Sequence, residues 1–142
     1  MITNLDTEGL RKVVLDYDLF FIDIWGVIHN GLKLNFSAIE TLKKLEDNNK
    51  KFVLLTNAPR PNDSVIKFLK KMGLENYYEN VFTSGEAALR YLKNDLNNKK
   101  FFHIGPPRDF DLFSNFENFK VMNIDLADYI LCTGLFDNHD KD

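Results

Sequence analysis

One carboxylate closes one apolar run. Leu19-Phe20-Phe21-Ile22 leads straight into Asp23, and Ile24-Trp25-Gly26-Val27 follows. A second run, Phe52-Val53-Leu54-Leu55, ends in Thr56-Asn57. Short continuous apolar runs of this kind predict strands covered on both faces, as in a parallel sheet. In open α/β sheets ligands sit beyond the carboxyl ends of the strands. A carboxylate is costly to bury unless it is paired or binds something, so Asp23 stands where chemistry is done. Aspartyl carboxylates form covalent phospho-intermediates. Thr56 adds a hydroxyl and Asn57 an amide, and Gly26 allows close approach of backbone to a ligand. Carboxylate, hydroxyl and backbone N–H groups together suit a phosphoryl group in transfer. A phosphate beside a carboxylate calls for a cation between them, and Mg²⁺ binds through one or two carboxylates plus phosphate oxygens.

The elements that must position these groups alternate along the chain. Asn30-Gly31 predicts a tight turn, and a small hairpin, after Asp23. Ser37 with Glu40 predicts a capping box opening a helix, whose buried stripe is Ile39, Leu42 and Leu45 and whose end is Asn48-Asn49. Pro59 and Pro61 precede a helix carrying Val65, Phe68, Leu69 and Met72, stopped at Gly73. Val81-Phe82 is a short strand, and Thr83 with Glu86 a further capping box. Strands follow at Phe101–Gly105, around Val121, and at Tyr129–Cys132. This order predicts one α/β domain over 1–142, with a parallel sheet and helices on both faces.

Composition sets the class. The chain has 142 residues, 44% hydrophobic and 27% charged, with 18 basic and 21 acidic residues and a net charge of −3. These are the proportions of a globular domain, and the basic footprint of a nucleic-acid binder is absent from them. Thirteen Phe promise an aromatic core. Cys132 is the single cysteine, which favours a reducing compartment. With no apolar run long enough to span a bilayer and no signal-peptide pattern, the expected setting is cytoplasmic, without membrane partners.

Each feature also has a plainer reading. Asp23 fits a cap of the turn that follows it, and Thr56 and Asn57 fit caps of the Pro-started helix. Thr83-Ser84-Gly85-Glu86 reads as a helix cap, and Gly105-Pro106-Pro107-Arg108-Asp109 as a rigid turn. His103 reads as a satisfied sheet residue, His29 as a solvated turn residue and Cys132 as core. The acidic stretch 137–142 reads as a frayed end, not a metal cluster.

Three segments in order carry a resemblance: Phe21-Ile22-Asp23-Ile24-Trp25-Gly26-Val27-Ile28-His29-Asn30-Gly31, Leu54-Leu55-Thr56-Asn57-Ala58-Pro59-Arg60, and Phe82-Thr83-Ser84-Gly85-Glu86-Ala87-Ala88. Gly105–Asp109 and Cys132–Leu135 add to it. Together they resemble the haloacid dehalogenase superfamily, and more narrowly its class IIA branch of NagD-like and p-nitrophenyl phosphatase-like proteins with a C2-type cap. The resemblance implies a three-layer α/β/α Rossmann-like core. It implies a Mg²⁺-dependent phosphatase acting on a small phosphorylated metabolite through an aspartyl-phosphate. Asp23 matches the nucleophile. Asp23 and the backbone carbonyl of Trp25 match Mg²⁺ ligands. Thr56 matches the phosphate-binding hydroxyl, with Asn57 beside it, and 29–31 match a hairpin flap.

Two departures follow from the same comparison. The family's usual acid/base Asp, two residues after the nucleophile, is Trp25 here, and an indole N–H does no proton transfer near neutral pH. Loss of general acid–base catalysis is worth about 10²–10⁴-fold; His29 is the candidate substitute. The family's later Lys and acidic pair, and its cap, do not occur within 142 residues. The sequence is therefore expected to be the N-terminal part of an incomplete core, with the first strand left as an apolar edge and little activity by itself. The alternative is a catalytically impaired scaffold that binds a phosphate or a partner. A response-regulator receiver domain fits less well, since it wants an acidic pair where Ile24 and Trp25 follow Asp23.

Overall fold

β1 (Leu19–Asp23) and β2 (Lys51–Thr56) lie side by side in parallel, Leu19 opposite Lys51 and Asp23 opposite Leu55. β3 (Val81–Thr83) completes the order β1-β2-β3. Parallel neighbours need a crossover, and α2 (Phe36–Asp47) supplies it, with Leu42 and Leu45 buried on its inner stripe. A short α1 (Leu5–Glu8) precedes β1, capped by the Asn4 side chain on Asp6 N–H. This computed structural model describes residues 4–136. It divides into two compact units, Met1–Leu55 with Lys70–Val81, and Thr56–Leu69 with Phe82–Asp142.

In the first unit Leu54 of β2 is fully buried and Phe52 nearly so. β1 departs from the expectation of two covered faces. Its exposure alternates, with Leu19 45% and Phe21 67% exposed. Residues 19, 21 and 23 share one face by the two-residue period of a strand, and among the described strands β1 pairs only with β2. Asp23 is thus a carboxylate at the end of an open face.

The capping box expected at Ser37 and Glu40 does not form. Asn35 is the N-cap, and its Oδ1 accepts the Ser37 hydroxyl at 2.8 Å instead of a backbone N–H. One residue inside the helix, Ser37 is past the position from which a cap works. The expected hairpin at 29–31 is likewise reduced to isolated bridges, Trp25 with His29 and His29 with Leu34. α3 (Asn62–Lys71) follows Pro61, whose carbonyl accepts Ser64 N–H. It stops where expected, at Gly73 (φ +93°), whose N–H bonds Lys70 O.

The second unit holds a sheet of its own. β4 (Phe101–Ile104) lies between β5 (Lys120–Val121) and β6 (Tyr129–Cys132), parallel to both. The one parallel sheet expected from the strand order is therefore two three-stranded sheets among the described strands. The Phe-rich core appears here: Phe101, Leu112 and Phe113 are buried, with Leu89, Phe116, Phe119, Tyr129 and Leu131 against them. Phe101 meets the Phe113 ring edge-on at 5.8 Å. α4 (Ser84–Asn94) is capped as expected by Thr83, whose Oγ1 accepts Glu86 N–H at 2.9 Å. The reciprocal half of that box is absent. Thr83 N–H goes to Asn62 Oδ1, and the Glu86 carboxylate takes Asn62 N–H and Arg90 Nε.

Cys132 is exposed, against the expectation of a core cysteine, because β6 alternates and 130 and 132 fall on its open face. The acidic stretch 137–142 lies outside the described residues. Among those described, no helix is long and apolar enough to cross a membrane. The fold is α/β, Rossmann-like, built from parallel sheets and helices.

Candidate active site

Asp23 ends β1 with its side chain exposed. Its Oδ1 accepts Ile24 N–H at 2.8 Å, so the turn-capping reading is realised by one oxygen. Oδ2 has no hydrogen-bond partner among the described residues. The next six residues wrap into a turn around the Ile24 carbonyl, which accepts Ile28 N–H at 2.9 Å and His29 N–H at 3.3 Å. Ile24 and Ile28 are buried beneath it and fix it to the first unit by apolar burial. Gly26 takes φ +80°, a left-handed turn position that glycine fills without strain. Its N–H is spent on His29 O at 2.8 Å, and nothing lies within 4 Å of a Cβ added there. Its φ is the one the turn requires, and the space beside it is open. The turn's backbone hydrogen bonds leave out the N–H groups of Trp25 and Val27 and the carbonyl of Trp25.

His29 is not the solvated residue its position suggested. It is 4% exposed, and Nδ1 accepts Gly31 N–H at 2.9 Å. The Trp25 indole meets its ring edge-on at 5.2 Å, while Trp25 itself is 62% exposed. Beside them a cavity of about 350 Å³ is lined by Gly26, His29, Asn30, Lys33, Leu34, Asn35, Phe36 and Ser37.

Thr56 and Asn57 belong to the second unit. Parallel pairing puts Asp23 opposite Leu55, and Thr56 is the next residue of β2. Thr56 is 8% exposed, and its Oγ1 accepts Ala58 N–H at 3.2 Å, which leaves the hydroxyl proton to donate. Asn57 is exposed, with its carbonyl held by the Ser84 hydroxyl at 2.9 Å.

Sequence reasoning missed what secures the segment after Thr56. Arg60 Nη2 pairs with Asp109 Oδ1 at 3.3 Å, and Asp109, assigned to a rigid turn, is 3% exposed inside a 3₁₀ helix over Pro107–Leu112. Gly134 lies beside that carboxylate, where a Cβ would stand 3.2 Å from Asp109 Oδ2. Forty-nine residues separate the pair, and no local pattern links them. Removing one partner of a fully buried pair costs about 3–5 kcal/mol; with the Arg60 side chain 34% exposed, Arg60→Ala is expected to cost about 2 kcal/mol by urea denaturation. The exposed i,i+4 pair Arg90–Glu86 is the control, at about 0.5 kcal/mol for Arg90→Ala.

His103 is satisfied as expected: Nε2 lies 2.9 Å from Thr133 Oγ1 and the ring packs on Phe113 at 4.3 Å. Burial holds His29 below the ordinary histidine value; it does the same for His103, helped by Lys120 and opposed by Asp109. Both lowered groups bind protons less readily folded than unfolded, so stability is complete above about pH 6.5 and falls as the pH drops through the lowered values. The urea midpoint is expected to be level above pH 7 and to decline toward pH 5. The His103→Asn variant should show a shallower decline.

Three comparisons bear on this arrangement. A family model described as haloacid dehalogenase-like hydrolase matches residues 20–117. No curated protein matches significantly. Among solved structures, a haloacid dehalogenase-like hydrolase from Brucella suis 1330 is similar at TM-score 0.75 and 26% identity, over 100% of this chain and 52% of that one. A 4-nitrophenylphosphatase from Thermotoga maritima aligns at TM-score 0.67 and 24% identity, over 84% and 46%. A p-nitrophenyl phosphatase from Archaeoglobus fulgidus aligns at TM-score 0.63 and 23% identity, over 80% and 43%. The chain thus spans about half the length of the structures it resembles.

Proposed function

The chain belongs to the haloacid dehalogenase-like hydrolases, and from that premise we propose that it carries the nucleophile of a Mg²⁺-dependent phosphatase for a small phosphate monoester. The observation that supports this most is the Asp23 carboxylate, exposed at the carboxyl end of a parallel strand with Oδ2 uncommitted among the described residues. Asp23 attacks phosphorus, the ester oxygen departs with the bond's electron pair, and water later releases the phosphoryl group from Asp23. Thr56 donates its hydroxyl proton to the phosphoryl group, with the Asn57 amide beside it. The N–H groups of Trp25 and Val27 serve as further donors. Gly26 gives the turn its left-handed bend.

The donor set fits Mg²⁺. A single carboxylate, the uncommitted Trp25 carbonyl and substrate oxygens are what a hard cation that keeps several waters accepts. Asp23 and the Trp25 carbonyl would hold it. When bound, it supplies charge neutralisation between carboxylate and phosphate. A cytoplasmic setting belongs to this proposal and rests on the single cysteine.

The test is release of nitrophenolate from p-nitrophenyl phosphate by the full-length protein, dependent on Mg²⁺ and abolished by EDTA. No release at saturating Mg²⁺ would favour a second reading, a scaffold that binds phosphate or a partner without turnover. One observation favours that reading: Trp25 stands where the resemblance implies an acid.

A further inference from the structure

The cap at Thr83 leaves one hydroxyl of the Thr83-Ser84-Gly85-Glu86 segment unexplained. Ser84 is the first residue of α4 and is exposed. Its hydroxyl bonds no group of its own helix in the described structure. It reaches instead to Asn57 O and Ala58 O, each at 2.9 Å. The two carbonyls are not equivalent. Ala58 O also accepts Gly85 N–H at 3.2 Å. Asn57 O has no other donor among the described residues.

The Asn57 carbonyl and the Ala58 N–H belong to one planar peptide unit. Ser84 holds the carbonyl end, and the N–H end bonds Thr56 Oγ1 at 3.2 Å. A chain of hydrogen bonds therefore runs from Ser84 through a single peptide to Thr56, all of it within the second unit. Two effects follow for the Thr56 hydroxyl. With Oγ1 accepting Ala58 N–H, its one proton is left for a further acceptor, and its rotation is restricted. Donation to the Asn57 carbonyl also polarises the amide, so Ala58 N–H donates more strongly and the hydroxyl that accepts it becomes the better donor.

We infer that Ser84 is a positioning residue of the phosphate site, acting through the 57–58 peptide on the Thr56 hydroxyl. The inference rests on the phosphatase reading above, in which Thr56 donates to the phosphoryl group. Ser84 itself touches no substrate. Its hydroxyl fixes the peptide, and the peptide fixes and strengthens the donor.

Inorganic phosphate, titrated calorimetrically into the full-length protein with Mg²⁺, reads this donation without turnover. Ser84→Ala is expected to weaken phosphate binding about fivefold, the range of one hydrogen bond. Ser84→Thr keeps the hydroxyl and should restore it. Thr56→Val should weaken binding at least as much as Ser84→Ala. The double variant separates the relay from general support of the segment. Ser84→Ala made on Thr56→Val is expected to cause no further loss, because the hydroxyl on which it acts is gone. Parental affinity in Ser84→Ala, no recovery in Ser84→Thr, or losses that multiply in the double variant would overturn the inference and leave the phosphatase reading standing. If the parent binds no phosphate, or Thr56→Val binds it unchanged, the role of Thr56 in the phosphatase reading falls and takes the inference with it.

Discussion

Asp23→Asn in the full-length protein is expected to lower kcat for p-nitrophenyl phosphate by about 10⁴-fold or more, the loss that follows removal of a covalent nucleophile. That is roughly 5.5 kcal/mol of activation free energy. The variant is informative because it disturbs so little else. Asp23 is exposed, and its side chain's one hydrogen bond in the described structure is Oδ1 accepting Ile24 N–H. An amide oxygen accepts the same bond, so the turn over Ile24 and Ile28 should persist, with stability within about 0.5 kcal/mol of the parent. What the amide lacks is the anionic oxygen that attacks phosphorus and the charge that attracts a cation. Urea denaturation and nitrophenolate release, measured on the same preparation, separate the two effects. Turnover at the parental rate would remove Asp23 from the nucleophile's role.

The strand ends were legible in the sequence because they are local. A buried run ending in a polar residue needs only neighbours to be recognised, and β1 and β2 end at Asp23 and Thr56 as expected. Helix ends were legible where one residue carries the signal, as at Thr83 and Gly73. They were misread where two polar side chains compete: Ser37 and Asn35 bond to each other, and the capping box is lost. Burial was harder to read. The run 19–22 predicts two covered faces when read alone, and Leu19 and Phe21 are exposed; β1 is the sheet edge that the expectation of an incomplete core called for. His29 looks like a turn residue, yet it is buried because the chain folds back over the Ile24 carbonyl. Asp109 depends on an arginine 49 residues away, a pairing that only the fold creates.

Gly85→Ala is expected to destabilise the protein by about 3 kcal/mol, or roughly 10 °C in Tm for a chain of this size. The glycine sits near the start of α4, buried. A Cβ there would lie 2.3, 2.4 and 2.5 Å from the backbone N, O and C of Arg60, against a preferred carbon separation of about 3.5–4.0 Å. The clashing atoms are main chain and cannot rotate away. Nor is that main chain free to retreat. The Thr83 hydroxyl bonds Arg60 O, the Ser84 hydroxyl bonds both Asn57 O and Ala58 O at 2.9 Å, and Gly85 N–H bonds Ala58 O at 3.2 Å. Moving the segment by the needed ångström breaks about two of these bonds, worth about 1 kcal/mol each. Overpacking adds about 1–3 kcal/mol, and the better helix propensity of alanine returns about 1. Ser84→Ala, which removes hydroxyl bonds without a clash, is the comparison, at about 1 kcal/mol. The displaced segment begins one residue after Thr56, whose Oγ1 is held by Ala58 N–H, so Gly85→Ala should also weaken phosphate binding in the protein that remains folded. A Tm within 2 °C of the parent would mean that the start of α4 yields easily, and that the Thr56–Arg60 segment is not clamped by it.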